Sequence, residues 1–280
     1  MSGCDRIKKA ASLAQAGEGG HQVVPLEAVR EIALPEGLTV REFEAELLQN
    51  NLVPLRYLRN IGTLGMDGQA KLLLSSAAVV GCGGLGGWII ELLARLGVGR
   101  LTLIDGDVFS ESNLNRQALC TEANLGRNKA EAAAARVREI NGAVEAIPYP
   151  VMMTKANAET LLEKNEKSEK KSIVFDALDN LPSRLLLLET SQALGIPMIH
   201  GAIAGWWGQV ADVGDGALAS LWRNKGEKGV ETIVGTPGFT PSYTASMQVV
   251  LGVRMLLGKK TPTGLLWLDL EGPALEKISL

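Results

Sequence analysis

Cysteine is scarce in this chain. Three occur in 280 residues, Cys4, Cys82 and Cys120, widely spaced and with no CxxC pair. An odd, scattered set argues against a disulfide framework. Histidine is scarcer still, with only His21 and His200, which argues against a Cys/His zinc site, and no zinc is expected. Neither sign of charge dominates: 28 basic residues stand against 31 acidic ones, for a formal net charge of −3. That balance gives no electrostatic reason to expect nucleic acid or an acidic membrane surface as a partner. The first residues, MSGCDRIKKAASLAQAGEGG, lack the apolar run of a signal peptide. The longest uncharged stretch, LLLSSAAVVGCGGLGGWII from Leu72, is broken by glycines and two serines. A strand–turn–helix suits it better than a membrane span. No internal repeat is present. These absences point to a cytoplasmic protein.

What is there is ordinary for a globular chain: 46% hydrophobic and 21% charged residues, with glycine abundant at 32. The length predicts one large α/β domain with an appendage, divided near residue 52. The first twenty residues read as loose. Thr39 and Glu42 have capping-box spacing ahead of Val40, Phe43 and Leu47, predicting a short amphipathic helix. Pro54 separates it from a second helical segment, RYLRNIGTLGMDGQAKLL. Beyond that, strands AAVVG, RLTLID, VEAIPYPV, SIVFDAL and IPMIHGAI alternate with helices GGWIIELLARLG, GRNKAEAAAARVREING, ANAETLLEKNEKSEKK and LPSRLLLLETSQALG. Such alternation predicts a Rossmann-like, mostly parallel sheet with helices on both faces. After Gly201 the pattern changes: GWWGQVADV and GLLWLDL read as antiparallel additions, and SYTASMQVVLGVRMLLG as a late helix.

Gly81, Gly83 and Gly86 form GxGxxG between a strand and a helix, with Gly84 beside them. Such a loop lets backbone N–H groups approach phosphate oxygens at a positive helix end. Asp105, roughly twenty residues on, sits where a carboxylate accepts from ribose hydroxyls. The loop alone does not separate NAD or FAD from ATP. The polar run that follows adds Asp107, Asn113, Asn115, Arg116 and Gln117, and Lys129 opens the Ala-rich helix. Asp176 and Asp179 stand at the end of the strand FDALDN, with Arg184 on the next helix. Hydride transfer has no use for a phosphate-binding Arg and Lys with a metal-binding Asp. A nucleoside triphosphate does: the cations neutralise phosphates and a carboxylate holds Mg²⁺. The residues therefore favour ATP, with NAD as the alternative.

GCGGLGG, LTLIDGDVFSESNLNRQ, LGRNKAEAAAARVREIN, FDALDNLPSR and HGAIAGWWGQV occur in order, and RYLRN precedes them. From about Arg56 to Gly258 the chain resembles E1-like activating enzymes of the ThiF/MoeB/HesA type. The resemblance implies ATP-dependent adenylation, by residues 53–280, of the C-terminal glycine of a small ubiquitin-like sulfur carrier ending in Gly-Gly. It implies that Asp105 holds the ribose, with Asp107 grouped in the nucleotide site. Asn113, Arg116 and Gln117 would line nucleotide and phosphates, Lys129 would contact phosphate, and Asp179 would bind Mg²⁺. Arg59 would reach into a neighbouring protomer's site, making a homodimer the working unit. Other activities of the class remain as alternatives: adenylation of a short peptide or other carboxylate, or a non-catalytic nucleotide-binding module. Two features depart from the pattern. The paired CxxC motifs of many relatives are missing, and NKGEKGVETIVGTPGF, the crossover before the late helix, has no Cys. Sulfur or thioester transfer by this chain is thus not implied, and residues 1–52 exceed the usual lead-in.

The remaining eye-catching residues have plainer readings. Cys82 reads as a small apolar filler, Cys120 as a buried inert thiol, and His200 as a hydrogen-bonded histidine at a strand end. Trp206 and Trp207, if in one strand, face opposite ways, one toward the core and one toward a partner. EKNEKSEKK reads as a solvated helix face.

Overall fold

The computed structural model describes residues 2–162, 172–213, 222 and 231–279. The N-terminal part is more ordered than its composition suggested. Helix α1 (Gly3–Leu13) starts at a reciprocal cap: the Ser2 side chain accepts from Asp5 N, and the Asp5 carboxylate accepts from Ser2 N. The reading of the first twenty residues as loose is thereby corrected; the Ser2/Asp5 spacing was the signal overlooked. Two short strands, β1 (Gln15–Ala16) and β2 (Gln22–Val24), precede α2 (Leu26–Ala33) and α3 (Val40–Gln49). Thr39 caps α3 through the capping box with Glu42 that its spacing predicted. Strand β3 (Leu52–Pro54) pairs parallel to β2 and closes a small three-stranded sheet. Val24, Val29, Ile32, Phe43 and Leu47 form its core.

This appendage is riveted to the body. Val23, Ala45, Leu48 and Val53 pack with Tyr57, Ile61 and Leu73. The latter three flank or belong to α4 (Leu58–Leu73), which kinks at Gly65, where φ is 70° and ψ 169°. Arg41 donates to the Gly99 carbonyl at 2.7 Å. Glu44, fully buried, pairs with Arg56 at 3.1 Å. Arg56 in turn bonds Asn141, whose amide donates to Tyr57 Oη at 2.8 Å and to the Ala94 carbonyl at 3.1 Å.

The body follows as β4 (Ser76–Val80), α5 (Gly84–Leu96), β5 (Arg100–Ile104), α6 (Lys129–Ile140), β6 (Glu145–Tyr149), α7 (Ala158–Leu162), β7 (Ser172–Asp176), α8 (Leu181–Ala193), β8 (Met198–Ala204), β9 (Trp207–Asp212), α9 (Glu231–Val234), α10 (Phe239–Leu256), β10 (Leu265–Asp269) and β11 (Ala274–Ile278). One eight-stranded sheet has the order β11-β10-β9-β8-β7-β4-β5-β6. Strands β6, β5, β4, β7 and β8 are parallel; β8 to β11 are antiparallel. The expected fold class is therefore present. The segment EKNEKSEKK lies outside the described residues, as does the first part of the crossover NKGEKGVETIVGTPGF, residues 224–230. Strand β11 was not predicted: all five of its residues are exposed, so no apolar alternation announces it.

Successive strand residues serve opposite faces. Val79, Leu103 and Phe175 pack under α5, α6 and α10. Val80, Ile104 and Val174 meet Leu161 and Leu162 of α7 and Leu187 and Leu188 of α8. Each fully buried aliphatic side chain of this kind stabilises the fold by about 1.5–3 kcal/mol. Because β5 and β6 lie to one side of β4 and β7 and β8 to the other, a crevice opens beyond the ends of β4 and β7. In open α/β sheets that switch point is where ligands bind.

Candidate functional site

The glycine loop leaves β4 at this switch point. Gly81 has φ +93°, and a Cβ there would lie 2.5 Å from the Ala177 carbonyl oxygen. At Gly86 a Cβ would fall 1.8 Å from the Gly81 carbonyl oxygen. Gly81 requires glycine because of its positive φ and the Ala177 backbone beside it, and Gly86 because the first turn of α5 presses directly on the loop. Gly84 is the first residue of α5. Beside Gly83 lies the Gln117 amide, whose Nε2 would be 3.4 Å from a Cβ at that glycine.

Asp105 follows β5 and faces the same loop. Its carboxylate accepts from Cys82 N at 2.7 Å and from Asp107 N at 2.8 Å. Burial raises its pKa above the ordinary value, opposed by those two N–H groups and by the Lys129 charge. Lys129, nearly buried, reaches Asp107 Oδ2 at 3.2 Å. Asn128 was not singled out in the sequence. Its Nδ2 bonds the carbonyls of Asp105 (3.1 Å) and Asp107 (3.0 Å), and its Oδ1 caps α6 by accepting from Glu131 N. Its place just ahead of a helix with Glu three residues on was the available signal.

Asn113 is buried and its Oδ1 accepts from Ser110 N at 3.1 Å, so it shapes the polar run from within. Arg116 Nη1 donates to the Ser112 carbonyl (2.9 Å) and to Asn115 Oδ1 (3.0 Å). The start of α10 closes over this stretch: a Cβ on Gly238 would lie 2.8 Å from the Asn115 carbonyl oxygen. Gln117 is buried, and its Oε1 has no hydrogen-bond partner among the described residues. A buried acceptor without a donor costs about 1–3 kcal/mol, which a ligand hydroxyl or amino group would recover.

Asp179 is exposed on the turn between β7 and α8, and accepts from Asn180 Nδ2 at 3.2 Å. The same turn carries Ala177, which packs on Gly81. Asp176, placed by the sequence beside Asp179 at the end of its strand, points inward. It is fully buried and bonded to His200 Nδ1 at 2.7 Å. The apolar end of β7 leaves its side chain no route to solvent. Arg184 likewise turns to Asp176 (3.7 Å) and to the Leu178 carbonyl (3.1 Å). Arg59 stands apart from the loop. Its side chain is 82% exposed, and the guanidinium pairs with both oxygens of Glu18, at 2.6 and 2.8 Å.

The bystanders sort clearly. Cys82 and Cys120 are buried, and burial raises both thiols. His200 is buried between Asp176 and Gln209, and burial lowers its pKa despite the carboxylate. Trp206 and Trp207 correct the expectation of one core tryptophan: both are exposed. Trp206 lies in the β8–β9 turn against Phe239 (4.7 Å), and Trp207 begins β9 facing Trp267 (6.3 Å). A turn does not alternate faces as a strand does.

A Rossmann-like sheet with a glycine loop, a following acid and a lysine at its switch point defines a class of α/β proteins whose ligands bind beyond the carboxyl ends of the strands. The chain belongs to the ThiF family, which matches residues 57–277. It is 36% identical over 209 residues to the SAMP-activating enzyme E1 of Haloferax volcanii, covering 72% of this chain and 75% of that one. It is also 36% identical over 187 residues to the adenylyltransferase and sulfurtransferase MOCS3 of Xenopus laevis. That match covers 65% of this chain but 40% of MOCS3. Among solved structures, E. coli MccB with ATP superposes at a TM-score of 0.63 and 17% identity, over 80% of this chain and 70% of MccB. E. coli TcdA, a tRNA N6-threonylcarbamoyladenosine dehydratase, gives 0.62 and 23%, over 73% and 95%. At such identities these two likenesses establish the fold.

Proposed function

We propose that this chain is an ATP-dependent adenylyltransferase that activates the C-terminal glycine carboxylate of a small ubiquitin-like sulfur carrier. The observation that carries the reading is the meeting of the glycine loop, Asp105, Lys129 and the unpartnered Gln117 oxygen in one crevice. The names of the relatives, an activating enzyme for SAMP and an adenylyltransferase, support the reaction class. In the reaction a carboxylate oxygen of the carrier bonds to the α-phosphorus, the bond to the bridging oxygen breaks, and pyrophosphate leaves with the electron pair. Asp105 accepts from the ribose, and Asn113 and Gln117 line the nucleotide with Asp107 nearby. Arg116 and Lys129 neutralise phosphate charge, and Gly81, Gly83, Gly84 and Gly86 let the backbone close on it. No side-chain nucleophile is needed; positioning and charge neutralisation suffice.

Asp179 suits Mg²⁺. It is an exposed hard oxygen donor at the crevice, and Mg²⁺ in nucleotide sites takes one or two carboxylates plus phosphates. Among the described residues no cluster of three or more His, Cys, Asp and Glu forms a dedicated cage. When bound, the ion supplies further neutralisation of the phosphates. We read Arg59 as completing the site of a second copy in a cytoplasmic homodimer, and residues 1–52 as an extension docked on the adenylation body, 53–280. Among the described residues no helix is long and apolar enough to cross a membrane. ATP–pyrophosphate exchange with purified carriers tests the proposal. Exchange dependent on a protein ending in Gly-Gly is expected, and Arg116→Ala and Asp179→Ala abolish it with circular dichroism unchanged. Exchange with a short peptide alone, ATP binding without exchange, or wild-type rates in both variants refutes it.

A further inference from the structure

The buried cluster Asp176–His200–Arg184 takes no direct part in the proposed chemistry, yet it closes on one residue. Leu178, the neighbour of Asp179, has both its backbone polar groups engaged by the cluster. Its N–H donates to Asp176 Oδ1 at 3.0 Å, and its carbonyl accepts from Arg184 Nε at 3.1 Å. Asp176 is held in turn by His200 Nδ1 at 2.7 Å, and its backbone carbonyl accepts from Gln248 Nε2 of α10 at 2.8 Å. His200 is braced by Gln209 Nε2 at 3.2 Å and by the Trp222 ring, edge-on at 4.7 Å. Arg184 Nη2 also reaches the Gly201 carbonyl at 3.4 Å. Asp176 and His200 are both fully buried. On the other side of Asp179, Asn180 caps α8 by accepting from Ser183 N at 3.0 Å. The backbone of Asp179 is therefore clamped from both neighbours while its carboxylate stays exposed.

We propose that His200, through Asp176, and Arg184 are positioning residues that set the Asp179 carboxylate for Mg²⁺ at the nucleotide site. The inference rests on the reading of Asp179 as the Mg²⁺ ligand. Burying a carboxylate at the end of β7 is costly unless every partner is supplied. Here each partner either fixes the turn or fixes a group that does. The physical consequence is selective. Loosening the turn weakens a metal contact that demands near-ideal octahedral geometry, while the glycine loop and Asp105, built on other strands, keep their grip on the nucleotide.

Calorimetric titration of the full chain with ATP, in Mg²⁺ and in EDTA, tests this for wild type, His200→Ala, His200→Asn and Asp179→Ala. Wild type is expected to bind ATP more tightly in Mg²⁺. His200→Ala should lose between ~10- and ~100-fold of that Mg²⁺-dependent gain, with affinity in EDTA changed less than about twofold. His200→Asn keeps an amide donor for Asp176 and should restore most of the gain, which a merely structural lesion would not do. If His200→Ala does not fold, Arg184→Met, which keeps the side-chain length but has no donor, removes the hold on the Leu178 carbonyl and serves in its place. Loss of the gain in Asp179→Ala with full retention in His200→Ala and Arg184→Met overturns the positioning role alone. An Asp179→Ala protein with an unchanged gain overturns the metal reading and this inference together.

Discussion

Glu44 provides a quantitative test of how the N-terminal extension is attached. Its carboxyl is fully buried on α3, against Arg56 at 3.1 Å, with Tyr57 and the charge of Arg30 also facing it. Burial pushes its pKa from the ordinary 4.5 up to about 7, even though Arg56, Tyr57 and Arg30 pull it down. A carboxyl whose folded pKa is raised stabilises the fold fully below its unfolded pKa, and that contribution is lost as pH climbs through the folded value. At about 1.4 kcal/mol per decade, the loss between pH 4.5 and 7 is about 3 kcal/mol, a large part of a typical net stability. Glu44→Gln keeps a neutral hydrogen-bonding group beside Arg56 and removes the titration. Urea unfolding of wild type and Glu44→Gln at several pH values between 4.5 and 8 is the assay. The variant's stability relative to wild type should rise by about 3 kcal/mol across the window and then level off. A difference independent of pH would show that Glu44 is ionised throughout and that the desolvation argument is wrong.

Other outcomes follow from the same contacts. Gly86→Ala puts a methyl on the Gly81 carbonyl; it should cost at least 1–3 kcal/mol of stability, in the range of overpacking, and abolish ATP binding measured by calorimetry. Asn141→Ala strips donors from Tyr57 Oη and the Ala94 carbonyl. It should cost about 1–3 kcal/mol, lowering Tm by about 2–4 °C per kcal/mol in a thermal melt. The lowered pKa of His200 works opposite to Glu44: its contribution is present above pH 6.5 and is lost as pH falls below that, so His200→Asn should flatten the acid side of the stability profile. Arg59→Ala and Asp179→Ala proteins, each inactive alone in pyrophosphate exchange, should recover activity when mixed and allowed to exchange subunits. No recovery would refute a shared site.

Much of this molecule is legible in one dimension because its signals are local. The capping box at Thr39 and Glu42 specifies the start of α3, and Gly97, at φ 74°, stops α5 where the pattern ends. The glycine loop and the polar run are contiguous, so their chemistry can be read before their shape is known. The extension was harder to read, since its strands are two or three residues long and carry almost no periodicity. The tryptophan pair was misread because only Trp207 lies in a strand, and burial in a turn depends on what lies above it.

The sequence by itself determined the strand–helix alternation, the glycine loop with its acid, and the absence of cysteine from the crossover. Each depends on residues close together along the chain. Tertiary structure alone decided which charges face the crevice. Asp176 and Asp179 lie three residues apart with the same side chain, but one is held in the interior by His200 and Arg184 while the other is exposed. Their partners sit on α8 and β8, which only folding brings to the end of β7. Pairings across such distances leave no periodic trace in the chain.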